Sequence, residues 1–519
     1  MPRIHGLVKK RKPHGVKKRK FSRGDATKQG LSLAVVFGPL CTVLAALIAS
    51  LGVFAGLGLT ANKQTTDNTN ALNEQYTTAL AGLTSGDATV RAGAISNLEI
   101  IADNWSTWPD LQKSDREIQI KAIINTLIVY LHRPIPQDSD GVYDEAEKYI
   151  RDSIAGIFQR HLVPASSNDD QPEPSDTPTP VPSETASSRT LDVGNDSACL
   201  ISVPGTYFIG SWSKYPLDFS HTYWNNVNFK SAVFDAALSF DNADFLGDVD
   251  FSEAVFANDA AFVLATFHGE ADFSEATFAS NATVDFRKAT FLGNAAFIST
   301  VFNGEAIYDE ALFSGAAVWN ETVFLALVGY DGVAFSGDSV FIDNSHFCRN
   351  VYFEDAQFGL PSTETNSFGV SFQSNYFSGN ADFSGAAFYA ADDWFPILFT
   401  DTIFLGQANF DYVSFAGDGV DFESVSFLTN ASFSNAAVSG SLNNPQGNFS
   451  TATNCGLEFN HSQFAASVIV DGLSVVQGCL SLADVTGLQG TVTLSEGTQI
   501  TMPDGTTHLA SEGSTVNFP

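Results

Sequence analysis

Basic side chains are scarce over most of this 519-residue chain, and so are sulfur and the usual signatures of catalysis. Beyond residue 30 only 15 Lys and Arg stand against 57 Asp and Glu, a net charge of −42. A body of that sign repels polyanions, so no nucleic-acid partner is expected. Five cysteines demand no disulfide framework, and none stands at metal-ligand spacing to a histidine. His132, His161, His221, His268 and His346 each stand alone. A nucleophile elbow, a Walker loop and a dinucleotide fingerprint are all missing. Asp248-Val249-Asp250 lacks the calcium-loop pattern, and a solvated acidic face explains it better. With no convergent polar set, the expectation is a non-enzyme with no catalytic residue, no cofactor and no metal.

Phenylalanine, by contrast, is abundant and rhythmic. It recurs at alternating spacings of five and six: Phe229, Phe234, Phe240, Phe245, Phe251, Phe256, Phe262, Phe267, Phe273 and Phe278. After a two-residue insertion the beat resumes at Phe286, Phe291, Phe297 and Phe302. Tyr308, Phe313, Trp319, Phe324, Tyr330, Phe335 and Phe341 continue it. Self-similarity this short predicts a solenoid. The spacing drifts around a helix and breaks the period of two of a long strand. It fits short extended segments joined by tight turns, each sending one large side chain inward. Ala232, Ala243, Ala254, Ala265, Ala271 and Ala276 stand two before a Phe and share its inward side. Large and small residues then fill a narrow interior. Between Gly359 and Val370 the beat lapses around Pro361, which predicts a loop ejected from a corner.

Ala243-Asp244-Phe245, Ala271-Asp272-Phe273 and Ala381-Asp382-Phe383 carry a resemblance to the pentapeptide-repeat family. The resemblance implies a mainly β fold, a right-handed quadrilateral β-helix. Alternation of five and six implies about 22 residues per coil, hence roughly ten coils over 225–438 and a rod on the order of 50 Å. Residues 191–224 are then the entry to the solenoid, and 439–519 are further β-coils or a cap over the last edge. Cys455 and Cys479 stand 24 residues apart, near one coil, and are able to pair on adjacent coils; Cys199 and Cys348 have no evident partner.

Upstream, residues 1–30 form a basic tail with 11 of the 26 Lys and Arg. Residues 31–59 follow as an apolar segment free of Asp, Glu, Lys and Arg. As a helix it spans roughly 43 Å, enough to cross a bilayer. The basic flank predicts a cytoplasmic N-terminus and an exported body, so this is a single-pass membrane protein in expectation, with the repeats extracytoplasmic. Residues 68–163 read as α-helical, with Asp87 and Ser114 placed as N-caps. Glu99 is read as one half of a structural ion pair. Segments 73–80, 90–95 and 98–101 are similar to a helical region preceding the repeats in many bacterial membrane-associated pentapeptide-repeat proteins, which implies a bacterial origin. Residues 164–190, rich in Pro, Ser and Thr, predict an extended linker that lets the rod stand away from the helical unit.

Two functions follow as expectations. One is a membrane-anchored scaffold that presents a stiff acidic rod to an unknown protein partner. The other is implied by resemblance to quinolone-resistance-type pentapeptide-repeat proteins: a DNA mimic acting on a type II topoisomerase. The resemblance also allows end-to-end homodimers through the C-terminal coils.

Overall fold

The structure is a computed structural model. It describes residues 63–518 except 109–110, 165–196, 201–206, 280–281, 338, 360–368, 390–396, 417–419, 423, 440–456, 459–462, 465–467, 470–472, 478, 483–487 and 512–513. The basic tail and the apolar segment 31–59 lie outside the described residues, as do the ejected loop and Cys455. Among the described residues no helix is long and apolar enough to cross a membrane.

Four helices come first: α1 (Lys63–Leu83), α2 (Ala88–Thr107), α3 (Lys113–Leu131) and α4 (Glu145–Leu162). Their apolar stripes bury Ile95, Leu98, Trp105, Leu127, Leu131, Ile150 and Ile154 in one core. Asp87 caps α2, its carboxylate accepting the Thr89 N–H at 2.8 Å. Asp144 caps α4 in the same way through Ala146. Ser114 does not cap α3. The helix starts one residue before it, at Lys113, and the Gln112 side chain at the cap position makes no hydrogen bond to the first turn.

The rest is a parallel β-helix with four faces. The first strands of the faces are Leu217–Asp218, Tyr223–Trp224, Val227–Asn228 and Val233–Phe234. Each pairs in parallel with the equivalent strand one coil on, so Leu238 sits on Ala260, Val284 on Ala306 and Ala306 on Val328. Most early coils therefore hold 22 residues, and about nine coils rather than ten fit between 225 and 438. Insertions at corners lengthen some coils.

The aromatic beat becomes four columns inside the rod. Phe229, Phe251, Phe273 and Phe297 stack on one face, and Phe234, Phe256, Phe278, Phe302 and Phe324 on the next. Phe240, Phe262 and Phe286 form the third column, and Phe245, Phe267, Phe291 and Phe313 the fourth. All are buried. Stacked ring centroids lie close to the strand spacing, for example 4.5 Å for Phe256 and Phe278. The alanines two residues before are buried as well.

Phe341 breaks the expectation. It is 39 % exposed, while Ile342 beside it is fully buried. One extra residue in this coil moves the strand by one place, and a period of two then exchanges inside for outside. Ile342 lies opposite Trp319 in the ladder.

Two kinds of corner explain the eleven-residue unit. The first holds a left-handed residue two positions after an inward large side chain: Asn242, Glu253, Leu264, Glu275 and their successors, the non-glycine ones with φ between 51° and 61°. The second carries a glycine column at Gly247, Gly269, Gly293, Gly315 and Gly337. A Cβ on Gly293 would come 2.2 Å from the Gly269 carbonyl oxygen, so a side chain is excluded by the coil beneath.

At the C-terminal end Leu473–Gln477, Cys479–Ser481, Leu488–Leu494 and Gln499–Thr501 still run parallel to the coils before them. Thr507–Leu509 and Ser514–Phe518 then fold back antiparallel onto Gln499–Thr501 and Leu488–Leu494. They take up the strand edge that an open coil would present.

Candidate functional site: the acidic faces and the helical junction

Residues 207–439 carry 30 Asp and Glu against five Lys and Arg. Register places many of the carboxylates in columns. After the first face, Asp241, Asp309, Asp331, Glu354 and Asp411 occupy equivalent corner positions. Each aspartate accepts a backbone N–H from the next coil: Val263 on Asp241 at 2.9 Å, Asp331 on Asp309 at 3.2 Å, Glu354 on Asp331 at 3.2 Å and Ser434 on Asp411 at 2.9 Å. The column thus splices coils as well as charging them.

Stacking acids one coil apart raises their proton affinity. Burial, with Asp309 and Glu354 close by, pushes Asp331 up to about 7. Burial pushes Asp309, Glu354 and Asp241 upward too. Asp250 serves a turn, accepting the Ser252 N–H, while Asp248 accepts the Glu270 N–H of the next coil. Among the described residues no group of three or more His, Cys, Asp or Glu is placed to hold a metal ion.

The helical unit is not held away from the rod; it caps the first coil. Phe158 of α4 lies edge-on to Phe219, centroids 4.9 Å apart, and so extends an aromatic column into the helices. Asp152 accepts from Asn225 and Asn226, and Gln159 donates to Asn228 at 3.0 Å. His132 bonds the Ser220 carbonyl at 3.0 Å.

Arg151 is the centre of this junction. Its fully buried guanidinium donates to the carbonyls of Leu131 at 3.1 Å, Tyr223 at 2.6 Å and Arg133. It therefore joins the C-terminal end of α3 to the first coil. Glu147 balances it from one turn away and also binds Arg91 at 2.9 Å and the Tyr130 hydroxyl at 3.1 Å. Burial lowers Arg151 to about 10 and raises Tyr130 to about 12, so both keep their usual charge at neutral pH. Glu99 pairs with Arg160 at 2.7 and 2.8 Å, the structural pair expected for it.

Cys199 and Cys348, which had no evident partner in the sequence, form a disulfide across 149 residues. Cys199 lies in a 3-10 turn, Ser197–Leu200, packed beside Val323–Phe324 and His346–Phe347 on the fourth face. The chain between α4 and the first coil is thus fixed against the rod several coils along. No spacing rule links these cysteines, because the turn belongs to no repeat. Arg151 was equally hidden, one of two arginines in an amphipathic helix with nothing in the sequence to set it apart. The glycine column did leave a signal: Gly247, Gly269, Gly293, Gly315 and Gly337 recur at nearly one coil.

A solenoid with aromatic columns and left-handed corners defines a repeat protein of the β-helix class. Residues 219–263 match the family model described as pentapeptide repeats (9 copies). No curated protein and no solved structure matches the chain.

Proposed function

We propose that this protein is a non-catalytic scaffold, anchored in a membrane through residues 31–59 and presenting its acidic β-helix outside the cytoplasm to a protein partner. The observation that carries this reading is the closed rod. Helices cover one end and antiparallel strands the other, so the sides, formed by a stretch whose sequence is strongly acidic, are the surface offered. Complementary charge on a partner then sets encounter rate and register. The Cys199–Cys348 bridge supports export, since such bonds persist in oxidising compartments. Protease added to intact cells, then to lysed cells, tests the topology. Digestion of the rod in intact cells is the expected result; protection until lysis refutes export.

The second reading is a DNA-mimicking modulator of a type II topoisomerase, favoured by the stacked carboxylate columns. It requires a cytoplasmic rod, so the same experiment separates the two.

A further inference from the structure

One face of this acidic rod has no charge on its strands. On the fourth face each strand sends its ring inward and the residue before the ring outward. Those outward residues pair in one ladder: Val233, Val255, Thr277, Val301, Val323 and His346. The ladder continues to Ser426 without an Asp, Glu, Lys or Arg. The other faces differ. The first sets Asp218, Asp285 and Asp382 at its outward positions, the second Asp244, and the third Asp250 and Asp272.

The entry segment of the chain touches this uncharged face at two places. The turn Ser197–Leu200 rests beside Val323–Phe324 and His346–Phe347, and at the first coil the Ser213 carbonyl accepts the Asp235 N–H at 3.0 Å. Val323 and Val233, at those two coils, are buried, whereas Val255, Thr277 and Val301 between them stay half-buried. The two contacts are held differently. Near the first coil the Trp212 N–H donates to the His161 carbonyl at 2.9 Å, and the Trp212 ring stacks on His161. At the turn Leu200 is 73 % exposed, so its side chain adds little apolar burial, and the bond from Cys199 to Cys348 is the strong attachment. Cys348 is buried, and Cys199 is half-buried.

We propose that the Cys199–Cys348 bond is a redox latch. Closed, it keeps the turn Ser197–Leu200 on the uncharged face; opened by a dithiol reductant, it lets the turn leave and bares that face. The exchange balances with the reductant alone. One thiolate of the reductant attacks the Cys199 sulfur, the S–S bond breaks, and Cys348 leaves as the thiolate. The second thiol of the reductant then displaces Cys199. Two electrons and two protons have passed to the protein, and the reductant has become a disulfide. Trp212 stays on His161 throughout, so the turn departs without loss of the helical cap. The rod then offers an apolar face beside its acidic ones. The latch belongs to the folded chain and works on either side of a membrane, so its failure leaves the topology experiment untouched.

The test uses the full chain, purified oxidised, with dithiothreitol as the reductant. Peptide mass mapping without reduction is expected to recover Cys199 joined to Cys348; absence of that pair overturns the proposal. Cys199→Ser removes the bond at a half-buried position and leaves Cys348 as the probe. In this variant Cys348 is expected to react with iodoacetamide at a rate within about tenfold of the urea-unfolded chain. Stronger protection means that the turn stays seated without its bond, and overturns the proposal. In the native chain dithiothreitol is expected to speed hydrogen exchange at residues 197–200 by about tenfold or more and to raise the fluorescence of a hydrophobic dye, with the β circular dichroism unchanged. In Cys199→Ser the dye signal is expected to be high already and indifferent to dithiothreitol. Equal dye binding by the oxidised and reduced native chain overturns the proposal, as does a rise accompanied by loss of the β signal, because the rod itself has then opened.

Discussion

Replacing Phe273 with alanine tests the aromatic columns most directly. The ring is fully buried between Phe251 and Phe297, both stacked at 5.1 Å, and lies edge-on to Phe286 at 5.4 Å and Phe262 at 5.8 Å. Truncating a buried Phe costs about 3–5 kcal/mol from lost transfer energy and the cavity left behind. Neighbouring rings add roughly 0.5–1.5 kcal/mol per aromatic pair beyond area burial. The coils above and below are locked by their own hydrogen bonds and cannot close the gap, so the cost belongs near the top of that range. Solenoid coils couple mainly to their neighbours. Hydrogen exchange is therefore expected to show lost protection centred on residues 251–297 and fading toward 219 and 433. Phe341→Ala is the control: it stands on the same sequence beat but is partly exposed, and its cost is expected to stay below about 1 kcal/mol. A loss under 1 kcal/mol at Phe273, or a loss at Phe341 as large, refutes the assignment of inward residues.

Arg151→Met leaves three buried carbonyls and Glu147 short of a donor, and is expected to cost about 3–5 kcal/mol; limited proteolysis should then release the helical unit from the rod. Gly293→Ala drives a methyl into the Gly269 carbonyl and should lower stability by about 1–3 kcal/mol in denaturant titration. Tyr330→Phe removes a fully buried hydroxyl that has no partner among the described residues, and should raise stability by about 1–2 kcal/mol in the same titration. Asp331 has its folded pKa raised to about 7, above the usual carboxylate value. Between roughly pH 4 and 7 the native state therefore binds more protons than the unfolded chain, and stability falls as pH rises through that window. Asp331→Asn still accepts the Glu354 N–H, so it should stabilise the rod at pH 8 and change little at pH 4, measured by thermal unfolding at both.

The solenoid was legible because its constraint is local and repeated. An inward ring every five or six residues leaves the same mark in every coil, and an alanine two places earlier repeats the mark. The left-handed corner was less legible. Glu253, Leu264, Glu275 and Lys288 all adopt it, and such residue types do not advertise positive φ. Phe341 shows the limit of periodicity. A one-residue insertion changes which neighbour points inward, and aromatic character alone does not report the phase. The junction was not legible at all. Arg151 meets Tyr223 72 residues away, and His161 meets Ser211 50 residues away, with no repeat to relate them.

The sequence by itself determined the solenoid, its coil length, the helical character of residues 68–163 and the sign of the body's charge. Each of these follows from composition or from contacts that recur at a constant interval. Tertiary structure alone decided that the helices cap the rod and that Cys199 bonds Cys348. Those pairings join segments with no common period, and only the folded chain brings them within bonding distance.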